Sequence, residues 1–154
     1  MSSNPVKLGI VGLGRWAKVL TRAAQQSDKL KIVAGYSRSE GKRLAFEKEL
    51  RVPAVPDMKT MLANPELKGV ILTVPNEQHL PMAEMVARAG KHVYTEKPIA
   101  QELADTARIV DLWRDTGIPV QVGFMRRFDP GYERAKQLID AGERVVTIED
   151  AAEL

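Results

Sequence analysis

The chain has 154 residues, of which 44% are hydrophobic, so it is long enough and apolar enough to bury a core as one globular domain. Its 23 basic and 20 acidic residues give a formal net charge of +3 and are interleaved along the sequence, which lends no support to a nucleic-acid surface. The absence of cysteine excludes disulfides and thiolate metal sites.

Membrane and metal functions also find little support in the sequence. The N-terminal MSSNPVK lacks the apolar segment of a signal peptide, and the longest apolar run, Gly69 to Pro75, is too short to span a bilayer. With two histidines and no cysteine, a metal site is not expected. We therefore expect a cytoplasmic protein without a nucleic-acid or membrane partner.

Short apolar runs alternate with amphipathic helical patterns along the chain, which predicts successive βαβ units. The predicted strands are Lys7–Val11, Leu30–Tyr36, Ala54–Val55, Gly69–Val74, His92–Thr95 and Val120–Val122. The predicted helices are Arg15–Ser27, Glu40–Leu50, Met58–Ala63, Gln78–Ala89 and Glu102–Asp115, with a further helix from Asp129-Pro130 to about Ala141-Gly142. Asp57 is expected to cap the third helix, and Gly90 and Gly117 to end the fourth and fifth.

These elements predict an α/β fold, a doubly wound and mostly parallel Rossmann sheet with helices on both faces. In such a sheet the ligand crevice lies at the carboxyl ends of the strands. We therefore expect the functional residues directly after strands.

A glycine-rich turn joins the first strand to the first helix in KLGIVGLGRWA. It matches the dinucleotide fingerprint G-x-G-x-x-G/A, in which Gly12 makes the tight turn and Gly14 lets the backbone approach the diphosphate. The anion then lies on the free N–H groups and positive dipole of the helix N-terminus, where Arg15 and Trp16 are also expected to contact the cofactor. An ordinary structural turn is the alternative interpretation.

The segment YSRS after the second strand bears on the choice of cofactor. An NAD-specific site places an Asp or Glu there to bind the adenosine ribose, and this chain has no carboxylate in the segment. Ser37 and Arg38 suit a 2′-phosphate, with Lys42 or Arg43 adding charge-assisted bonds, so we favour NADP over NAD. The alternative is that Ser39 caps a helix and Arg38 is solvated.

Three segments together resemble a known family. VGLGRWA, TVPNEQH after the fourth strand and YTEKPIA after the fifth are similar to the nucleotide-binding domain of the Gfo/Idh/MocA oxidoreductases, the group of glucose-fructose oxidoreductase and inositol 2-dehydrogenase. VGFMRRFDPGY also resembles the segment after the sixth strand in inositol-dehydrogenase-like members. The resemblance runs from Lys7 to at least Glu143 and implies an NAD(P)-dependent dehydrogenase.

Residues after the fourth and fifth strands take their expected roles from this resemblance. Lys97 should project an ammonium into the crevice; in the family the corresponding lysine is catalytic, holding the reacting oxygen and assisting its proton transfer. Glu96 is expected at the cofactor, where it orients Lys97 or tunes its charge. Pro75 and Asn76 are implied to line the ribose and nicotinamide part of the cofactor. The alternatives are a surface lysine and a turn-forming Pro-Asn step.

Arg127 and the two histidines are the other residues considered. Arg126-Arg127 comes after the sixth strand, and the resemblance implies that Arg127 lies on the substrate side; a solvated pair is the alternative. His79 belongs to the Asn-x-x-His signal but is assigned no chemical role, and His92 is expected to be structural.

The resemblance implies that residues 1–125 form the NAD(P)-binding Rossmann domain and that residues 126–154 form a connecting helix and the start of a substrate domain. Val145–Ile148 is the expected first strand of that domain, the rest of which is expected to be absent, leaving this chain alone inactive. In the family the substrate domain usually forms the oligomer interface, so a homo-oligomer is a possible assembly of this chain.

The sequence is therefore compatible with two functions. One is an NAD(P)-dependent oxidoreductase, represented by its cofactor-binding domain, that transfers a hydride between nicotinamide and a sugar, polyol or similar small alcohol. The other is a non-catalytic dinucleotide-binding module or sensor. Retention of Lys97 favours the first, and lack of a substrate domain favours the second.

Overall fold

The computed structural model describes residues 4–142, which divide after Gly123 into two compact units. The strands of the first unit are β1 Val6–Val11, β2 Leu30–Tyr36, β3 Ala54–Val55, β4 Gly69–Leu72, β5 His92–Thr95 and β6 Val120–Val122. Its helices are α1 Arg15–Gln25, α2 Glu40–Leu50, α3 Met58–Leu62, α4 His79–Arg88 and α5 Leu103–Thr116. The second unit contains a 3₁₀ turn, Met125–Phe128, and α6, Pro130–Asp140.

All six strands run parallel, in the order β3-β2-β1-β4-β5-β6. The chain winds from β1 to one edge through β2 and β3, and then to the other edge through β4, β5 and β6. The connections after β1 and β4 therefore leave in opposite directions, which opens a crevice at the carboxyl ends of these strands. Val11 pairs with Tyr36 on one side and Leu72 on the other, so the residues after these three strands come together.

Helices cover both faces of the sheet in the first unit. α1 and α2 pack on one face around Ile10 and Phe46, and α3, α4 and α5 pack on the other around Val11 and Leu72. The neighbours Ile10 and Val11 enter different cores because successive strand side chains point to opposite faces. β4 is buried along its whole length, which explains why its sequence is a continuous apolar run.

The helix ends follow local chemistry that the sequence already shows. The Asp57 carboxylate accepts a hydrogen bond from the Thr60 N–H at 2.8 Å and so caps α3. Gly117 ends α5 with φ +66°, in the left-handed region that favours glycine. The expected caps at both positions are confirmed.

In the second unit, Asp129 organises the start of α6. One of its carboxylate oxygens accepts the backbone N–H two residues further on at 3.0 Å, and the other lies 3.3 Å from the Arg126 guanidinium. That guanidinium lies 5.0 Å from the centre of the Tyr132 ring, a cation–π distance. The turn and α6 contain no buried residue.

The predicted doubly wound parallel α/β sheet is confirmed. β4 ends at Leu72 instead of Val74 because its partner β5 ends opposite it, at Thr95. α1 ends at Gln25 instead of Ser27 because the last N–H groups bond three residues back, as in a 3₁₀ turn.

The predicted start of the fourth helix is wrong, and one predicted strand is not tested. The predicted start of the fourth helix at Gln78 is replaced by a 3₁₀ turn, Asn76–Gln78, closed by a 2.8 Å hydrogen bond from the Gln78 N–H to the Pro75 carbonyl. The predicted strand Val145–Ile148 lies outside the described residues.

Candidate functional site

The glycine turn after β1 has two glycines with different structural requirements. Gly12 has φ +89°, and a Cβ there would lie 2.6 Å from the Thr73 carbonyl oxygen, so the fold itself requires glycine. Gly14 has φ −89° and is the N-cap of α1 without a side-chain cap; a Cβ there would meet no protein atom within 4 Å. The space in front of Gly14 and the uncapped first turn of α1 can therefore accept an anion.

A cavity of about 280 Å³ lies in front of this turn, at the carboxyl ends of β1, β2 and β4. It brings together five of the predicted cofactor residues, Gly12, Gly14, Ser37, Arg38 and Pro75, although their positions in the sequence are far apart. The other lining residues are Val11, Leu13, Tyr36, Lys42, Thr73, Val74, Gln78 and Met82.

The cavity wall after β2 is basic. Arg38 and Lys42 both line it, and no carboxylate is among its lining residues. Arg43 does not line the cavity; its Nη1 donates to the Ser37 carbonyl at 2.7 Å and is 3.2 Å from the Arg38 carbonyl. The Ser39 hydroxyl accepts from the Lys42 N–H at 3.4 Å and caps α2, as the alternative interpretation of this segment expected.

Thr73 connects the glycine turn to the end of β4. Its hydroxyl lies 2.9 Å from the Val11 carbonyl oxygen and 2.8 Å from that of Gly12 and donates to this pair, while its N–H donates to Val11 at 2.9 Å. Sequence reasoning missed Thr73, and also Gln78 and Met82, as cavity residues. The sequence pattern places Thr73 inside the predicted strand Gly69–Val74, so no local signal marks it as a cavity residue.

Lys97 and Glu96 follow β5 and lie outside the cavity lining. Lys97 is exposed and has no ion-pair partner among residues 4–142. Glu96 accepts a 3.4 Å hydrogen bond from the Tyr94 hydroxyl. Burial, together with the adjacent Glu96 charge, raises the pKa of the Tyr94 phenol. A Cβ on Gly123 would overlap the Tyr94 hydroxyl, so this glycine leaves room for the pair.

The remaining predicted residues do not line the cavity. Arg15 and Trp16 lie exposed in the first turn of α1, and Asn76 is exposed at the start of the 3₁₀ turn. Arg127 is exposed in the 3₁₀ turn of the second unit.

His79, at the first residue of α4, is 1% exposed. Its Nδ1 lies 2.9 Å from the Pro98 carbonyl oxygen, and its Nε2 lies 3.2 Å from that of Val74. The ring therefore lies between the segment after β4 and the segment after β5.

A larger cavity, of about 730 Å³, lies toward the amino ends of the strands and is mostly apolar. It contains none of the predicted site residues, so the smaller cavity at the carboxyl ends remains the candidate site. Within residues 4–142, no group of three or more acidic, His or Cys side chains is placed to hold a metal ion. No helix in the same range is long and apolar enough to cross a bilayer.

Comparison with known proteins points to one family. The sequence model of the Gfo/Idh/MocA group, described as an oxidoreductase family with an NAD-binding Rossmann fold, matches residues 6–124. Inositol 2-dehydrogenase from Salmonella paratyphi B is 34% identical over 142 residues, which cover 90% of this chain and 42% of that protein.

Solved structures of oxidoreductases are also similar to this chain. Scyllo-inositol dehydrogenase from Lactobacillus casei, with bound NAD(H) and scyllo-inositol, matches with a TM-score of 0.81 and 35% identity over 90% of this chain and 42% of that one. An oxidoreductase from Desulfitobacterium hafniense, itself proposed to depend on NADPH, matches with a TM-score of 0.87 and 40% identity over 90% of this chain and 40% of that one. The chain thus spans about two fifths of the length of these relatives.

Proposed function

Because the chain belongs to the Gfo/Idh/MocA oxidoreductase family, whose NAD-binding Rossmann domain it contains, we propose that it is the cofactor-binding part of an NAD(P)-dependent dehydrogenase. The reaction is hydride transfer between nicotinamide and a carbon of a sugar, polyol or similar small alcohol. The observation that carries the proposal is the 280 Å³ cavity at the carboxyl ends of β1, β2 and β4, with unfilled space in front of Gly14.

The residues of the cavity divide the binding of a dinucleotide between them. The first-turn N–H groups of α1 hold the diphosphate, because Gly14 admits it to van der Waals distance of the backbone. Arg15 and Trp16, in that same turn, flank the diphosphate. Ser37 and Arg38 hold the adenosine ribose, and Pro75 with Asn76 directs the other ribose and the nicotinamide toward the end of β4.

NADP is the proposed cofactor and NAD the second choice. The support is the basic wall of Arg38 and Lys42, without a carboxylate to accept the ribose hydroxyls. The relatives include both kinds of protein, one solved with NAD(H) and one proposed to depend on NADPH. The two cofactors are therefore compared directly in the experiment below.

Lys97 is the proposed catalytic residue. Once bound, the nicotinamide supplies hydride exchange at the substrate carbon. Lys97 holds the substrate oxygen and stabilises its developing negative charge, for which an exposed ammonium after β5, free of an ion-pair partner in the described part of the chain, is suited. Glu96 lies beside it in the chain, near the cofactor, and Arg127 is proposed to contact the substrate.

An inositol-type polyol is the substrate class that the relatives favour, since two of them are inositol dehydrogenases. A homo-oligomer, a cytoplasmic location and the absence of nucleic-acid and membrane partners are parts of the same proposal. The interleaved charges of the sequence support the expected absence of a nucleic-acid partner.

A non-catalytic dinucleotide-binding module or sensor is the second candidate. The observation that favours it is that every residue lining the cavity belongs to the first unit, so binding needs no substrate site. Turnover of any sugar or polyol would exclude this candidate.

Calorimetric titration of the chain with NADPH and with NADH, followed by a hydride-transfer assay on a panel of inositols, sugars and other polyols, tests the proposal. We expect saturable binding with the tighter affinity for NADPH. Absence of binding by a chain that shows a cooperative melting transition would overturn it.

A further inference from the structure

The buried ring of His79 uses both of its nitrogens on backbone carbonyls of two different segments. Nδ1 lies 2.9 Å from the Pro98 oxygen and 3.3 Å from the Ile99 oxygen, and Nε2 lies 3.2 Å from the Val74 oxygen. A neutral ring donates to one of the two segments, and a protonated ring donates to both. In either state the ring spans the gap between them.

These two segments belong to opposite sides of the proposed nicotinamide end. Val74 lines the dinucleotide cavity and precedes Pro75, and Pro98 directly follows Lys97. Leu72 and Thr95 are the last paired residues of β4 and β5, so beyond them no strand hydrogen bond fixes the spacing of the two segments. The His79 ring is the polar contact that bridges them after the sheet ends.

Packing alone does not require a histidine at this position. Burying two ring nitrogens costs free energy, and only hydrogen bonds offset that cost. An aliphatic side chain would fill the same buried place without it. The ring also makes no hydrogen bond to its own helix, since its close contacts are to the carbonyl oxygens of Val74, Pro98 and Ile99. The polar atoms of His79 are thus directed to the two strand-end segments.

We propose that His79 is a positioning residue that sets the distance between Lys97 and the nicotinamide half of the dinucleotide. The inference rests on the proposed function, because it assumes that Val74–Pro75 lines the nicotinamide end. The adenosine half lies against Gly14, Ser37 and Arg38, which His79 does not contact. Loss of the ring therefore affects one half of the cofactor site and leaves the other intact.

The test compares two ligands that differ only in the ribose and nicotinamide beyond the diphosphate. NADPH and 2′-phospho-ADP share the adenosine and diphosphate, and NADH and ADP form the equivalent pair if NADH binds more tightly. For His79→Leu we expect NADPH affinity to fall about tenfold and 2′-phospho-ADP affinity to change by less than about twofold. His79→Gln, whose side-chain amide offers an N–H donor, should restore part of the NADPH affinity.

Val86→Ala is the matched control. Val86 is fully buried on the same helix, so its truncation lowers stability without removing a hydrogen bond to either segment. We expect it to bind both ligands as the unaltered chain does. Equal weakening of both ligands in His79→Leu, or no weakening of either, would overturn the positioning role.

NMR order parameters keep this inference separable from the proposed function. His79→Leu should lower the order parameters of the amides at residues 97, 99 and 100 while those of β1 and β4 stay unchanged. If the unaltered chain binds no dinucleotide, the proposed function fails, and the order parameters alone decide whether the ring fixes the Lys97 segment. Unchanged order parameters at these amides would refute the bridging role of the ring.

Discussion

Gly14→Val separates folding from dinucleotide binding at one position. Gly14 has φ −89° and ψ −166°, an extended conformation that valine adopts readily, and a Cβ there has no protein atom within 4 Å. Replacing glycine stabilises the fold by about 0.4–1 kcal/mol through the unfolded chain. The weaker N-cap preference of valine costs up to about 1 kcal/mol. The free energy of unfolding should therefore change by less than about 1 kcal/mol, or roughly 3 °C in Tm.

The effect on binding is expected to be much larger. The two valine methyl groups occupy the space through which the diphosphate approaches the first-turn N–H groups of α1. A hydrogen bond to a charged group contributes about 1.5–3 kcal/mol. Losing two such bonds weakens binding by roughly 3–6 kcal/mol, which is about 100-fold or more in Kd.

Calorimetric titration with NADPH and NADH, with melting curves recorded in parallel, measures both quantities. Gly12→Ala is the contrasting variant: its φ of +89° and a Cβ 2.6 Å from the Thr73 carbonyl oxygen should destabilise the fold itself. If Gly14→Val melts normally and binds within roughly threefold of the unaltered chain, the diphosphate does not lie at this turn. A large loss of Tm in Gly14→Val would instead contradict the open space in front of Gly14.

Three further predictions concern single side chains. Arg38→Asp should shift the ratio of NADPH to NADH affinity toward NADH by about tenfold. An unchanged ratio in paired titrations would refute the NADP assignment. If the chain turns over a polyol, Lys97→Met should lower the rate of hydride transfer by about 100-fold at nearly constant cofactor affinity, with exposed Lys48→Met on α2 as the control. Equal rates in the two variants would show that Lys97 takes no part in the chemistry. Because burial and the nearby Glu96 raise the folded-state pKa of Tyr94, its neutral form contributes stability that is fully present below the unfolded value of 10.0 and is lost as pH rises through the folded value. Denaturant titrations of Tyr94→Phe should therefore show a smaller fall in stability above pH 10 than the unaltered chain, and parallel pH profiles would contradict this.

The strands and helices are largely readable from the sequence because each depends on local patterns. The boundaries of β2, β5 and α2 are the predicted ones, since apolar runs, N-caps and turn residues mark both ends. The end of β4 is not readable in this way. It depends on where a neighbouring strand stops, and that strand lies more than twenty residues further along the chain.

The candidate site can be predicted from the sequence only in part, because some of its contacts join residues that are distant in the chain. The glycine turn carries its own signature, and Ser37, Arg38 and Pro75 follow strands, so the sequence places them at the crevice. Gln78 enters the cavity only because a 3₁₀ turn redirects the chain before α4. His79 gains its bridging contacts from a segment that comes about twenty residues later, which no local pattern reveals.

The three basic residues after β2 show how position decides which charges a cofactor can use. Arg38 and Lys42 line the cavity, whereas Arg43 donates Nη1 to the Ser37 carbonyl at 2.7 Å and lies 3.2 Å from the Arg38 carbonyl through the same atom. Arg43 therefore holds the backbone that carries Ser37 and Arg38, and only Arg38 and Lys42 are available to a 2′-phosphate. Since Lys42 remains when Arg38 is replaced, Arg38→Asp should weaken the preference for NADPH by a finite factor, and the double replacement of Arg38 and Lys42 should be needed to remove it.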